Sequence, residues 1–312
     1  MDRFKFILWR PVQLLPVLLG VSLVTFVLVH SIPGDPVRIL LGIRATPEVI
    51  AATRQQYGLD EPLVLQYLYF LKNLAAGEFG KSIIFKVGVL KLVVGRLVPT
   101  LFLLGYAIGL SVVIAVGLAV LAATNEGRLA DQLVRVYSTA GLGLPAFWLG
   151  IVLIILFSIR LGLFPVSGYG DTPLDHLHHL FLPALTIALA PSPVLIRNLR
   201  ASLLSEMQAD YVTAARSRGL SERAIFRRHV FRNSLIPTIT LLGVNVGWLI
   251  GGTVVVEQVF SVPGLGSLMV GSIFARDYLV VQAVTLAFAC AVILTNFLVD
   301  VATVALDPRI RL

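Results

Sequence analysis

"RNLRASLLSEMQADYVTAARSRGLSERAIFRRHVFRNSLIP", residues 197–237, is a polar, arginine-rich stretch between two apolar runs, and that contrast sets the fold class. The stretch is internally ordered. Asp210 is placed to cap a short helix over "YVTAARSR", and Gly219 is placed to end it in the left-handed conformation. Ser221 then caps a second helix that opens with Glu222, an acid favourable at the positive end of the helix dipole, and is expected to run to Leu235 before Pro237. Ala214 and Ala215 leave the first helix with a small face suited to a partner's groove. In the second, Ile225, Phe226, Val230 and Phe231 can bury while Arg223, Arg227, Arg228 and Arg232 face water or headgroups. On composition alone, such a loop could equally do no more than set topology and bind anionic lipid.

Outward from this stretch the chain is apolar. Of its 312 residues 57% are hydrophobic and only 13% charged, against about 25% charged in soluble domains. It is read as an all-α polytopic membrane protein. Six runs approach the roughly 20 apolar residues of a membrane crossing, at about 11–30, 99–123, 135–160, 180–197, 236–258 and 279–303. The fourth carries Pro183, Pro191 and Pro193, so a kinked or broken helix is expected there. The first follows Arg3, Lys5 and Arg10 without a small-residue cleavage site and reads as an uncleaved anchor. Net charge is +8, but the arginines fall in gaps between apolar runs and form no patch with interleaved aromatics, which argues against nucleic acid. The single Cys290 excludes a disulfide framework.

Lys and Arg in the short loops set the orientation. The N-terminus, residues 124–135, residues 197–235 and the tail carry 3, 2, 8 and 2 basic residues, whereas 161–179 carries none and 259–278 only Arg276. Both termini are therefore expected in the cytoplasm, and residues 31–98 form an extracytoplasmic segment. Two helices are expected in that segment, one entered by Thr46, Pro47 and Glu48 and closed by Gly58, the other starting near Asp60-Glu61-Pro62 and ending at Gly77. "AAGEFGKS" (75–82) fits the loosest form of a phosphate-binding loop, but the stretch before it has helical spacing instead of a strand, and it falls on the side without ATP.

Other features carry less. Gly243, Gly247 and Gly251 recur every four residues, a stripe that permits close helix packing. Asn245 and Asn296 are the polar exceptions that could face a translocation path, while Glu257 and Asp300 are placed near span ends, where snorkelling is cheap. "DHLHH" (175–179) brings His176, His178 and His179 near Asp171 and Asp175, without a geometry that would make it a metal site, and none is assigned. His30 and His229 read as structural or interfacial.

"DYVTAARSRGLSERAIFRRHVFRNSLIP" (210–237) resembles the coupling loop of ABC importer permeases, and most closely the branch that imports dipeptides, oligopeptides, nickel and glutathione. "IPGDPV" (32–37), "YGLDEPLVLQY" (57–67), "GEFGKS" (77–82), "LFPVSGYG" (163–170), "VEQVFSVPGLGSL" (256–268) and "ALDPRIRL" (305–312) resemble words of that branch in the same order. Glu78-Phe79 replaces a frequent Asp-Leu pair, and Thr213 stands where general importers have an acid, as is usual in this branch. The resemblance implies a type I ABC importer permease fold of six transmembrane helices. It divides the chain into a cytoplasmic N-terminus with the first helix (1–30), the extracytoplasmic segment (31–98) and a five-helix core (99–312) with its coupling loop at 198–236. It also implies alternating access in the cytoplasmic membrane, a second permease, two cytoplasmic ATPase subunits, an external substrate-binding protein and surrounding lipid. The chain would bind no cofactor and catalyse nothing itself, ATP and magnesium residing on the ATPases. Asp210, Thr213, Ala214, Ala215, Arg216, Arg218, Gly219, Leu220, Ser221 and Glu222 would form the coupling surface. A secondary transporter would place ionisable groups in mid-membrane, and a membrane enzyme would need a convergent catalytic set; the spans are nearly free of the first, and "DHLHH" is the only candidate for the second.

Overall fold

The computed structural model describes residues 3–31, 46–56, 60–82 and 84–306. The words at 32–37, the start of that at 57–67 with Gly58, and residues 307–312 of the last word lie outside the described residues. Among the described residues the regular elements are helical, apart from one antiparallel bridge between Lys81 and Gly88. The chain forms two compact units, one built mainly from residues 99–267 and the other from 8–98 and 268–291.

In the second unit, α1 (Arg3–Ser31) from Leu8 onward is followed by α2 (Pro47–Gln56) and α3 (Leu63–Ala75). The start of α2 after Thr46 and of α3 after Pro62 agrees with the sequence signals. Helix α3 lies on α1. The Ser22 hydroxyl is 2.8 Å from the Tyr67 hydroxyl, and the Phe26 ring packs on Tyr67 and Phe70 at 5.3 and 5.9 Å. His30 joins this contact, with Nδ1 2.8 Å from the Phe26 carbonyl and Nε2 3.2 Å from Gln66 Oε1.

Helix α3 ends as expected. Gly77 has φ +74°, its N–H donates to the Leu74 carbonyl, and the Glu78 N–H donates to that of Asn73, which together make a Schellman cap. The chain then turns through a short hairpin in which Ser82 N–H donates to Val87 and Val89 N–H to Gly80. The Ser82 hydroxyl, which a phosphate loop would place on a magnesium ion, donates instead to Asp277 Oδ2 at 2.5 Å, and Ile84 N–H donates to the same oxygen. "GEFGKS" is thus a docking turn. It meets the segment between α11 (Leu265–Phe274) and α12 (Tyr278–Leu306).

The first unit contains α4 (Val89–Thr124) from Pro99 onward, α5 (Leu129–Ala140), α6 (Ala146–Leu153, extended by a π-helical stretch Ile154–Arg160), α7 (Pro173–Leu189), α8 (Ser192–Met207), α9 (Asp210–Ser217) and α10 (Glu222–Val259). Its core gathers Ala115, Ala119 and Ala122 of α4 with Leu195, Leu199 and Leu203 of α8 in one buried cluster.

Three sequence expectations are corrected here. The run 135–160 is not one helix: α5 and α6 meet at 114°, because Leu144 precedes Pro145 and is held extended at ψ 119°. Pro237 does not stop the helix before it, since α10 continues for 38 residues from Glu222 to Val259. A π turn over Phe226–Val230 lies upstream, and the Ser234 and Thr238 hydroxyls bond back to the carbonyls of Val230 and Ser234, local adjustments that accommodate an exposed proline. Glu257, expected to snorkel, is fully buried. It accepts from the Thr100 hydroxyl at 2.6 Å and from Ser267 N–H at 3.0 Å, while Leu265 N–H donates to the same threonine.

The kink expected in the fourth run is present, a 58° bend between α7 and α8. Among the described residues three helices, Val89–Thr124, Glu222–Val259 and Tyr278–Leu298, are each long and apolar enough to cross a membrane, and the two bent pairs raise the number to five if each is one crossing.

The loop after α10 closes on Glu257 so tightly that a Cβ at Gly264 would lie 2.2 Å from its Oε1. The carboxylate cannot retreat without losing Thr100 and Ser267. Gly264→Ala is therefore expected to cost about 1–3 kcal/mol, whereas Gly247→Ala, with nothing within 4 Å, should change the stability of the isolated chain by less than about 1 kcal/mol. Unfolding of the two purified variants in mixed micelles tests the contrast.

Candidate functional site

The corner between α9 and α10 is built from the chain's own hydrogen bonds. Asp210 opens α9 as a first-turn acid and is not its cap; Ala209 occupies that position, and its carbonyl accepts from Val212 N–H at 2.9 Å. Gly219 does close the helix, with φ +77°. Its N–H donates to Arg216 and that of Leu220 to Ala215, a second Schellman cap. Ser221 caps α10, its hydroxyl accepting from Ala224 N–H at 3.4 Å.

Across the corner Arg216 and Glu222 form a two-pronged ion pair at 2.6 and 3.1 Å. The guanidinium holds the Glu222 carboxyl below the ordinary glutamate value. Tyr211 ties the corner to its neighbours, bonding Glu206 on α8 and accepting from Asn233 Nδ2 of α10 at 3.2 Å. The sequence reading missed Tyr211, since nothing in its neighbours singles it out.

The two alanines divide. Ala215 is 8% exposed and packs with Val212, Ile225 and Val230 in the unit's own core. It cannot enter a partner's groove while the corner is packed as it stands. Thr213, Ala214, Arg216, Arg218, Gly219 and Leu220 are exposed, as are Ser221 and Glu222. The anchoring face of α10 agrees with expectation: Ile225 and Val230 are buried, Phe226 and Phe231 half-buried, and Arg223, Arg227, Arg228 and Arg232 exposed.

Beneath the corner lies an ion pair that sequence reasoning did not find. Asp131 of α5 is 1% exposed and receives both prongs of Arg200 of α8, Nε at 2.6 Å and a terminal nitrogen at 2.8 Å, with Gly127 N–H adding a third bond at 3.1 Å. The Arg200 bond holds the Asp131 carboxyl below the usual aspartate value. A depressed pKa contributes stability that is complete above the unfolded value, about 3.9, and is lost as pH falls through the folded one. The stability advantage of the native chain over Asp131→Asn should therefore stay constant from pH 7 to about 4.5 and shrink below about pH 4. Unfolding in mixed micelles across that range measures it.

The remaining candidates are scattered. The Nδ1 of His176 is 2.8 Å from the Tyr169 carbonyl, His178 Nε2 is 2.9 Å from that of Leu163, and His179 Nδ1 is 2.9 Å from that of Asp175. Asp175 itself completes a capping box with Thr172 at the start of α7. Of the glycine stripe, Gly243 is buried, whereas a Cβ at Gly247 or Gly251 would meet nothing within 4 Å. Asn245 spends a side-chain N–H on the Leu241 carbonyl, and Asn296 is exposed on α12. The side chain of Asp300 lies outside the described residues.

Comparison with known proteins covers nearly the whole chain. The family model described as "Binding-protein-dependent transport system inner membrane component" matches residues 115–312, and that of the corresponding N-terminal region matches residues 3–101. The glutathione transport system permease protein GsiC of Escherichia coli (strain K12) is 39% identical over 307 residues, 98% of this chain and 99% of that protein. Its counterpart from Salmonella typhimurium (strain LT2) is 38% identical over the same length. Among solved structures, an inward-facing MetNI methionine ABC transporter superposes with TM-score 0.56 at 18% identity, covering 69% of this chain and 96% of that one, a likeness of fold.

Proposed function

Starting from a chain that belongs to the binding-protein-dependent transport system inner membrane components and is a permease of ABC importer type, we propose that its cargo is glutathione or a short peptide of similar size. The near full-length likeness to a glutathione permease supports this cargo over nickel. The chain is a transport subunit embedded in the membrane by several helices, and we place both termini in the cytoplasm on the distribution of Lys and Arg. In this reading six helices cross the membrane, α2 and α3 lie on the outer side, a second permease completes the path, two ATPase subunits hydrolyse ATP, and an external binding protein delivers the cargo.

The observation that carries the reading is the corner between α9 and α10. Its inner face, Val212 and Ala215, is locked into the core, and on its outer face Thr213, Ala214 and Leu220 are exposed. Because α10 continues as one helix for 38 residues from that corner, through its π turn and past Pro237, a displacement imposed there by ATP-driven closure is transmitted along it. Alternating access then follows from rigid-body movement.

The test is uptake by proteoliposomes holding the chain with the permease, ATPase and binding-protein genes beside it. ATP-dependent uptake of labelled glutathione, competed by unlabelled glutathione better than by a dipeptide, is the expected result. Equal competition by the dipeptide would shift the cargo to general peptides. Uptake without ATPase subunits would overturn the importer reading.

A further inference from the structure

Helix α5, the first limb of the bent pair, has two unlike faces. Asp131, Val134 and Ser138 are buried. Asp131 is held by Arg200, and six residues further on the Tyr137 hydroxyl is 2.7 Å from the Ser192 hydroxyl, so α5 is stapled to α8 near both ends. On the opposite side Leu129, Leu133 and Val136, spaced i, i+4 and i+7, are 70%, 60% and 65% exposed. Arg128 and Arg135 are exposed along one flank of this stripe. Three large apolar side chains in a row, on a helix otherwise pinned in place, are costly to leave in water.

The direction of α5 tells what covers them. It stands at 114° to α6 and its π extension, whose apolar run "AFWLGIVLIILFSI" (146–159) is the limb of the pair that carries no charge and so suits the hydrocarbon interior. If that limb follows the membrane normal, α5 lies roughly 24° from the membrane plane. A helix in that plane with an apolar stripe and an arginine flank has the design of an interfacial helix, its stripe sunk to the boundary of headgroups and acyl chains and its arginines among lipid phosphates. We propose that α5 is such a helix and that phospholipid covers Leu129, Leu133 and Val136. Through its two staples to α8 it then holds the adjoining corner at a fixed depth relative to the bilayer. The inference requires only that the chain resides in a membrane, so it survives or fails independently of cargo and of ATPase coupling.

Spin labelling tests it. In a Cys290→Ala background, Leu133→Cys, Val136→Cys and Arg135→Cys are each labelled with a nitroxide. The chain, assembled with its partner subunits, is placed in nanodiscs of phosphatidylethanolamine and phosphatidylglycerol. Collision with oxygen and with a water-soluble nickel chelate is measured by power saturation. The expected result is oxygen contact exceeding chelate contact at 133 and 136 and the reverse order at 135. Equal chelate contact at all three positions would show a solvated helix, and shielding of 133 and 136 from both reagents would show that a protein partner covers the stripe. Either result overturns the proposal.

Discussion

Arg200→Met is expected to destabilise the first unit by about 3–5 kcal/mol, because it strands a buried carboxylate. Asp131 would lose bonds of 2.6 and 2.8 Å and keep only the Gly127 N–H and Arg135 at 3.9 Å. Arg200 is itself 19% exposed, so water can reach the vacated space and the lower end of the range is expected. The double variant Asp131→Asn with Arg200→Met should be less damaged than Arg200→Met alone, since no unpaired charge remains. Unfolding of the purified chain by detergent titration separates these outcomes. A cost for Arg200→Met below about 0.5 kcal/mol, the usual range for surface substitutions, would show that the pair does not hold α5 to α8.

Gly219→Pro is expected to abolish transport while leaving the chain in the membrane. Proline fixes φ near −65°, whereas Gly219 sits at +77° and its N–H is committed to the Arg216 carbonyl. The substitution therefore reverses the sense of the corner and removes one of its two closing bonds. Loss should appear as ATP hydrolysis that cargo no longer stimulates, with the amount of inserted chain close to normal. Full uptake by this variant would remove the corner from the coupling mechanism.

The local features of this chain were legible in its sequence because each rests on neighbours a few residues apart. Gly77 and Gly219 close their helices in the left-handed conformation, Ser221 caps α10, and the alternation of arginine with Ile225, Phe226 and Val230 gave the buried face of its first turns. The apolar runs gave the membrane class for the same reason. What escaped depends on pairing at a distance or on helix rotation. Asp131 and Arg200 are 69 positions apart, and Glu257 finds Thr100 from 157 positions away. Ala214 and Ala215 look alike in sequence; only the angle at which α9 docks sends one to solvent and the other into the core. The break at Leu144-Pro145 was hidden because apolar residues on both sides satisfied a test of composition. Pro237 misled in the opposite direction, since a long apolar helix absorbs the loss of one backbone bond that would end a short one.

The docking of the corner on an ATPase is tested most directly by crosslinking from Ala214, the exposed member of the pair. Ala214→Cys is introduced in a Cys290→Ala background, the chain is expressed with its genomic neighbours, and a short bifunctional reagent is applied to the membranes before mass spectrometry. The account predicts capture of an ATPase subunit from position 214 and none from Ala215→Cys, whose side chain is buried. Capture of lipid alone, or of nothing, with the chain intact and inserted, would contradict it.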